Sequence, residues 1–155
     1  MELADHNAYV KKIVFYLSRK EYDLAFSLSK QFVAKFPNKL LPHFFLSKSA
    51  FWVKNIKVAI EEANSAFNLS KGEERATTGI LLASAYYLSE DYQKGYLVLK
   101  EIENCFPEEL TKEFKELSLI YSLTLKDPQN SEKYVKKLYA LNEGYAEAFI
   151  FEFLE

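Results

Sequence analysis

Few side chains in this 155-residue chain have the types and spacing that catalysis or metal binding requires. The only histidines, His6 and His43, lie far apart in the sequence, and Cys105 is the only cysteine. A catalytic or metal-binding histidine needs a supporting cluster, and a thiolate zinc site needs at least two cysteines. We therefore expect both histidines to be surface or partly buried residues and Cys105 to be a core or boundary thiol. No residue is predicted to be catalytic, cofactor-binding or metal-binding.

Sequential carboxylate pairs occur three times, at Glu61-Glu62, Glu73-Glu74 and Glu108-Glu109. Neighbouring residues on a helix point about 100° apart, so such pairs do not place two carboxylates on one face as an acid/base dyad. Glutamates in the first turn of a helix are favoured by the helix dipole. We predict that these pairs cap or solvate helices and that the chain is not an enzyme and needs no cofactor.

The charge balance argues against nucleic acid as a partner. The chain has 22 acidic and 20 basic residues, for a net charge of −2, whereas nucleic-acid-binding domains are basic. No apolar stretch reaches the roughly 18 residues of a transmembrane helix, and the first residues do not resemble a signal peptide. If the chain is complete we expect a cytoplasmic protein. If it is a fragment of an exported or membrane-anchored protein, its location stays open.

The elements that carry these residues are helical throughout. Apolar residues recur at helical spacing, and short breaks such as Phe36-Pro37, Lys71-Gly72 and Asp127-Pro128 separate the runs. The pattern predicts an all-α fold of about nine helices in antiparallel hairpins, forming one domain over residues 1–155. The expected helices span 3–18, 21–36, 41–53, 55–70, 73–89, 92–105, 109–125, 129–142 and 145–154. The first eight pair into hairpins 3–36, 41–70, 73–105 and 109–142, and the ninth is a C-terminal cap.

The chain also contains an internal repeat. Residues 16–37 align with residues 86–107, so that "KEYDLAFSLSKQFVAKFP" lies over "EDYQKGYLVLKEIENCFP". A weaker copy lies between them, with Ala59 at the position of Ala25 and Gly95. Because the offset is about twice 34–36 residues, each unit has the length of one helix hairpin.

These segments resemble the tetratricopeptide repeat, a helix–turn–helix unit of about 34 residues with small, aromatic and proline positions at fixed offsets. The resemblance covers about three repeats over residues 6–109 and leaves a degenerate C-terminal unit. It implies a right-handed superhelical array in which Ala25, Ala59 and Gly95 are small because helices cross closely there. It also implies a concave groove, formed by the first helices of successive hairpins, as the binding surface. An unrelated right-handed hairpin solenoid is the alternative.

The third predicted helix has more aromatic residues than one core contact needs, because Phe44, Phe45, Phe51 and Trp52 cover more than one face. The simplest interpretation of any one of them is interhelical core. When the chain is aligned to the tetratricopeptide repeat, however, several of these aromatic residues fall at positions that line the groove in that family. Aromatic side chains in a preformed groove usually contribute most of the binding energy. The predicted partner-binding residues are Phe44, Phe45, Lys48, Phe51, Trp52, Leu81 and Tyr87.

The resemblance also indicates what the groove does not bind. Tetratricopeptide domains that hold chaperone C-termini use Lys, Asn and Arg at groove positions. Here those positions carry Val10, Val14, Phe45, Thr77 and Leu81. We therefore predict a non-enzymatic scaffold or adaptor that binds an apolar or amphipathic segment of another protein and has no carboxylate clamp.

A second apolar concentration lies at the C-terminus, where Phe149, Phe151 and Phe153 follow Tyr145. This is more apolar surface than a cap needs, and exposed apolar patches mark interfaces. The segment therefore predicts either a cap on the helical array or a surface for self-association as a homodimer. The alternative function is accordingly a self-associating assembly subunit.

Overall fold

The computed structural model describes residues 2–106 and 111–141, and this part of the chain consists of helices and short connections. The eight helices are α1 (Glu2–Ser18), α2 (Tyr22–Lys35), α3 (Leu40–Trp52), α4 (Ile56–Leu69), α5 (Glu74–Leu88), α6 (Tyr92–Cys105), α7 (Lys112–Thr124) and α8 (Pro128–Leu141). The all-α prediction is confirmed. The predicted ninth helix, 145–154, lies outside the described residues.

Each hairpin turn uses the same backbone conformation. Lys20, Lys54, Glu90 and Lys126 all have a positive φ, between 56° and 64°, and they recur at intervals of 34, 36 and 36 residues. The next residue in each turn donates its N–H to the carbonyl five positions back, as in Asn55 to Ala50 (2.8 Å) and Asp127 to Ser122 (2.8 Å). This bond satisfies a carbonyl that the end of the first helix leaves without a helical partner. The fourth hairpin therefore keeps the turn geometry although its consensus residue types are lost.

Two residues, Asp127 and Pro128, determine where α8 begins. Asp127 Oδ1 accepts the N–H of Asn130 at 3.2 Å, and Pro128 occupies the first helical position. Asp127 is thus the N-cap of α8, at one of the breaks that the sequence predicts. The Asn130 side chain and N–H stabilise the carboxylate, and they hold the pKa of Asp127 below its usual value.

The core continues from one hairpin to the next. Ile13, Ser47, Ala83 and Leu119 hold corresponding positions in the first helices, and all four are fully buried. Each hairpin also packs on the one before it, because α3 lies against α2 and α5 lies against α4. A single hairpin cannot bury both of its faces, so this stacking supplies the hydrophobic stabilisation of the array.

The third and fourth hairpins approach each other closely at Gly95 of α6. A Cβ atom built on Gly95 would lie 1.8 Å from the hydroxyl oxygen of Tyr121 in α7. Tyr121 is fully buried, and its hydroxyl donates to the carbonyl of Ala83 at 2.5 Å. The phenol therefore fills the space that a side chain at position 95 would need.

Candidate partner-binding groove

A trough runs between α3 and α5 on the face where the first helices of the second and third hairpins lie side by side. Its main part is a cavity of about 300 Å³, and a second cavity of about 320 Å³ continues it toward the start of α3. Phe44 and Thr77 line both cavities, so the two form one continuous depression. The main part is lined by Phe44, Lys48, Phe51, Trp52, Thr77, Ile80, Leu81 and Ser84.

The apolar wall of this trough is a consequence of α3 being apolar on nearly all sides. Phe45, Leu46 and Ala50 are buried where α2 and α4 pack against the helix. Phe44 and Phe51 are only partly buried, because they lie on the side that no helix of the described chain covers completely. The α3 wall of the trough is therefore the side of this apolar helix that remains uncovered, while its other sides pack in the core.

Trp52 forms the end of the trough near the hairpin turn. Half of its surface is exposed (51%), which is unusual for so large an apolar side chain. Its ring stacks on Tyr22 at the start of α2, with a centroid distance of 4.9 Å and an interplanar angle of 6°. The Phe51 ring approaches it edge-on at 6.5 Å. These contacts hold the indole in one orientation and leave one face accessible.

Lys48 is the only charged residue among the described residues that line the main cavity. It is exposed, and its Nζ lies 5.8 Å from the centroid of the Phe44 ring. The opposite wall, on α5, contributes the neutral hydroxyl residues Thr77 and Ser84 together with Ile80 and Leu81. The trough is thus mainly apolar, with the cation of Lys48 in its main part and the carboxylate of Glu74 in the second cavity.

The structure brings together five of the predicted partner-binding residues: Phe44, Lys48, Phe51, Trp52 and Leu81. It places Phe45 elsewhere, in the core cluster that contains Ile13, Ala25 and Phe32.

Tyr87 also lies outside the trough. Its ring contacts Tyr92 and Tyr121, and its hydroxyl lies 3.1 Å from that of Thr124. The predicted oligomer or cap residues Phe149, Phe151 and Phe153 lie outside the described residues.

Ile80 is a trough residue that the sequence analysis did not select. It occupies the position in the third hairpin that Phe44 occupies in the second, so the repeat register itself contained the signal.

Both histidines have structural neighbours. His6 packs edge-on against Phe32 and Phe36, with centroid distances of 4.9 and 5.4 Å. Among residues 2–106 and 111–141, no group of three or more His, Cys, Asp or Glu side chains has the arrangement of a metal site.

His43 connects three parts of the second hairpin region. Its Nε2–H donates to the carbonyl oxygen of Pro37 at 2.7 Å, and its Nδ1 is hydrogen-bonded to Glu62 Oε2 at 2.5 Å. The His43 and Glu62 side chains are 10% and 19% exposed. The imidazole therefore ties the α2–α3 connection to α4, which supports the back of the helix that carries the trough.

The described helices form an array of antiparallel hairpins with an apolar trough between α3 and α5, the first helices of the second and third hairpins. No protein-family model matches the sequence, and no curated protein matches it. Among the described helices, none is long and apolar enough to cross a membrane.

Solved structures do share the fold. The MamA RS-1 ArsTM double mutant superposes with a TM-score of 0.77 at 16% identity, covering 91% of this chain and 77% of the other. MamA from Desulfovibrio magneticus RS-1, from residue 41 to its end, gives 0.76 at 15% identity, covering 90% and 76%. The fold is a right-handed solenoid of the tetratricopeptide type, as the sequence resemblance implied.

Proposed function

We propose that this chain is a non-enzymatic scaffold or adaptor that binds an apolar or amphipathic segment of another protein in the trough between α3 and α5. The observation that carries the proposal is the trough itself: Phe44, Phe51, Trp52 and Leu81 surround one depression that is open to solvent. Monomeric proteins rarely leave aromatic side chains grouped in an open groove unless the groove binds something. The similarity of fold to MamA is consistent with a scaffold role.

The contacts of Trp52 favour a preformed site. Because the indole is already stacked on Tyr22, it loses little side-chain entropy when a partner covers its other face. Tryptophan is also among the residues that most often dominate binding energy at interfaces. Lys48 adds a polar contact that fixes the orientation of the bound segment.

We expect the variants Trp52→Ala and Leu81→Ala each to reduce capture of the partner strongly. Removing a large apolar side chain on which a partner packs costs about 2 kcal/mol or more, which corresponds to roughly a 30-fold loss of affinity. The measurement is affinity capture from the source organism by the wild type and each variant, with bound proteins quantified by mass spectrometry. Circular dichroism checks that each variant is folded.

Leu97→Ala is the matched control, because Leu97 is a 69% exposed leucine on α6 and does not line the trough. It should capture the same proteins in the same amounts as the wild type. Equal capture by wild type, Trp52→Ala and Leu81→Ala would place the binding surface elsewhere and reject the proposal.

Self-association is the second candidate function. The apolar residues Phe149, Phe151 and Phe153 of the C-terminal sequence favour it, and Leu141, the last residue of α8, is 50% exposed. If it holds, light scattering should give twice the monomer mass at high concentration, and Phe151→Asp should restore the monomer. A wild-type protein that remains monomeric at high concentration excludes this candidate.

A further inference from the structure

The polar groups of the trough are too few for an extended ligand. The walls are helices, whose backbone N–H and C=O groups are bonded within each helix and are not available to a partner. An extended segment would leave its own backbone groups unsatisfied against Phe44, Phe51 and Leu81. A helical segment satisfies them internally and presents only side chains. The trough therefore favours a helix as its ligand.

The two cavities set the spacing of the side chains that such a helix would insert. On α3, the residues that line the main cavity and those that line the second cavity are centred about two helical turns apart, or roughly 10 Å along the helix. On α5, the two sets are centred about one turn apart, or roughly 6 Å. On one face of a helix, residues four and seven positions apart are separated by about 6 and 10 Å. The separation of the two ends of the trough therefore lies between about 6 and 10 Å, and two large apolar residues four or seven positions apart on a helix span that range.

The charges of the trough determine where the ligand helix can carry an acidic residue. Lys48 is the only Lys, Arg, Asp or Glu residue of α3, and it lines the main cavity, whereas Glu74 of α5 lines the second cavity. An acidic residue of the ligand is therefore favoured in the main cavity, beside Lys48, and disfavoured at the other end of the trough, beside Glu74. A bound helix would cover the exposed Lys48 and reduce the screening by water, so a carboxylate beside Lys48 is attracted and a second cation is repelled. Ser84, at the corresponding position of α5, adds a hydroxyl that can donate to the same carboxylate.

We propose that the ligand of the trough is an amphipathic helix with two large apolar residues four or seven positions apart and an acidic residue that pairs with Lys48. This inference rests on the proposed function, since it specifies the ligand of the same groove. The apolar anchors supply most of the affinity, and the Lys48 pair selects among apolar helices.

The test is selection from a phage-displayed library of random 16-residue peptides on the wild type, Lys48→Glu and Lys57→Glu. Lys57 is an exposed lysine on α4 that does not line the trough, so its variant controls for the change in net charge. Wild type and Lys57→Glu should enrich peptides with the apolar spacing and an acidic residue between or beside the anchors. Lys48→Glu should enrich basic residues there, and it should bind the wild-type peptides roughly tenfold more weakly.

The outcomes separate this inference from the proposed function. Two results would overturn the inference and leave the groove as the binding site. One is that the enriched peptides bind Lys48→Glu and the wild type equally tightly. The other is that apolar and polar residues alternate in these peptides, as they do in a strand. Enriched peptides that bind Trp52→Ala and Leu81→Ala undiminished, or no enrichment on the wild type, overturn both.

Discussion

Gly95→Ala is expected to be among the most destabilising substitutions in this chain. The new Cβ would lie 1.8 Å from the Tyr121 hydroxyl oxygen and 2.4 Å from the ring carbon that bears it. The phenol cannot swing away at low cost, because it is fully buried and donates to the Ala83 carbonyl. Overpacking a core usually costs about 1–3 kcal/mol, and this contact with a fixed ring should lie at or above the upper end. Urea unfolding of wild type and variant measures the difference.

A double-mutant cycle with Tyr121→Ala shows whether this contact is the cause. Tyr121→Ala alone should cost about 3–5 kcal/mol, since it leaves a large cavity. In the double variant the alanine at position 95 has no ring to meet, and the pair matches Ala59 and Ala85, which hold these positions one repeat earlier. We expect the double variant to be about as stable as Tyr121→Ala, a coupling of roughly 3 kcal/mol. Strictly additive losses would show that Tyr121 does not dictate glycine at position 95.

His43→Ala is the second substitution with a large expected effect. It removes a buried side chain and leaves both the Pro37 carbonyl and the Glu62 carboxylate without the partner they now share. Removing one member of a buried pair costs about 3–5 kcal/mol. For a chain of this size, that lowers the melting temperature by about 8–15 °C. Scanning calorimetry or thermal circular dichroism measures the shift.

Glu62→Gln tests the role of the pair itself. The new side-chain amide can donate to Nδ1 of the neutral imidazole while Nε2–H still donates to Pro37, so the loss should be less than half that of His43→Ala. Glu61→Gln, at the exposed neighbouring position, should change stability by no more than about 0.5 kcal/mol. A His43→Ala variant within about 1 kcal/mol of wild type, or an equal loss in Glu62→Gln, would contradict the structural role described here.

Much of the fold was predictable because helical periodicity and short breaks are local signals. The register of the repeats was assigned from residue types, so the match between repeats becomes weak where those types change. In the fourth hairpin the turn depends on the left-handed backbone conformation of Lys126. Lys20, Lys54 and Glu90 adopt the same conformation in the other turns, and neither Lys nor Glu is a residue type that indicates a positive φ. The sequence shows this unit as degenerate although its backbone repeats.

The trough was less predictable because one of its walls lies on α3, a helix that is apolar on nearly all sides. Phe44 and Phe45 are adjacent and chemically identical, yet Phe45 is buried and Phe44 lines the groove. Their environments differ only because of the rotation of α3 about its own axis, and hydrophobic periodicity does not determine that rotation when nearly every face of a helix is apolar. Tyr87 is a similar case, since its contacts depend on Tyr121 in the next hairpin.

The small residue at position 95 has a cause that the sequence alone does not reveal. The resemblance attributes Ala25, Ala59 and Gly95 alike to a close crossing of helices. The structure shows that glycine at position 95 is required by the size of Tyr121, whereas Ala59 meets the smaller Ala85. The identity of this residue thus depends on a side chain of the following hairpin, which the pattern within one repeat does not include.

The measurement that tests the central claim most directly is site-specific photo-crosslinking in the source organism, with a photoreactive phenylalanine analogue placed at Ile80 or at Leu97. Ile80 lines the trough, and Leu97 is exposed on α6 outside it. If the trough binds a protein segment, position 80 should give a discrete crosslinked protein that Trp52→Ala abolishes, and position 97 should not give it. Crosslinking of the same protein from both positions, or a product at position 80 that Trp52→Ala leaves unchanged, would contradict the account.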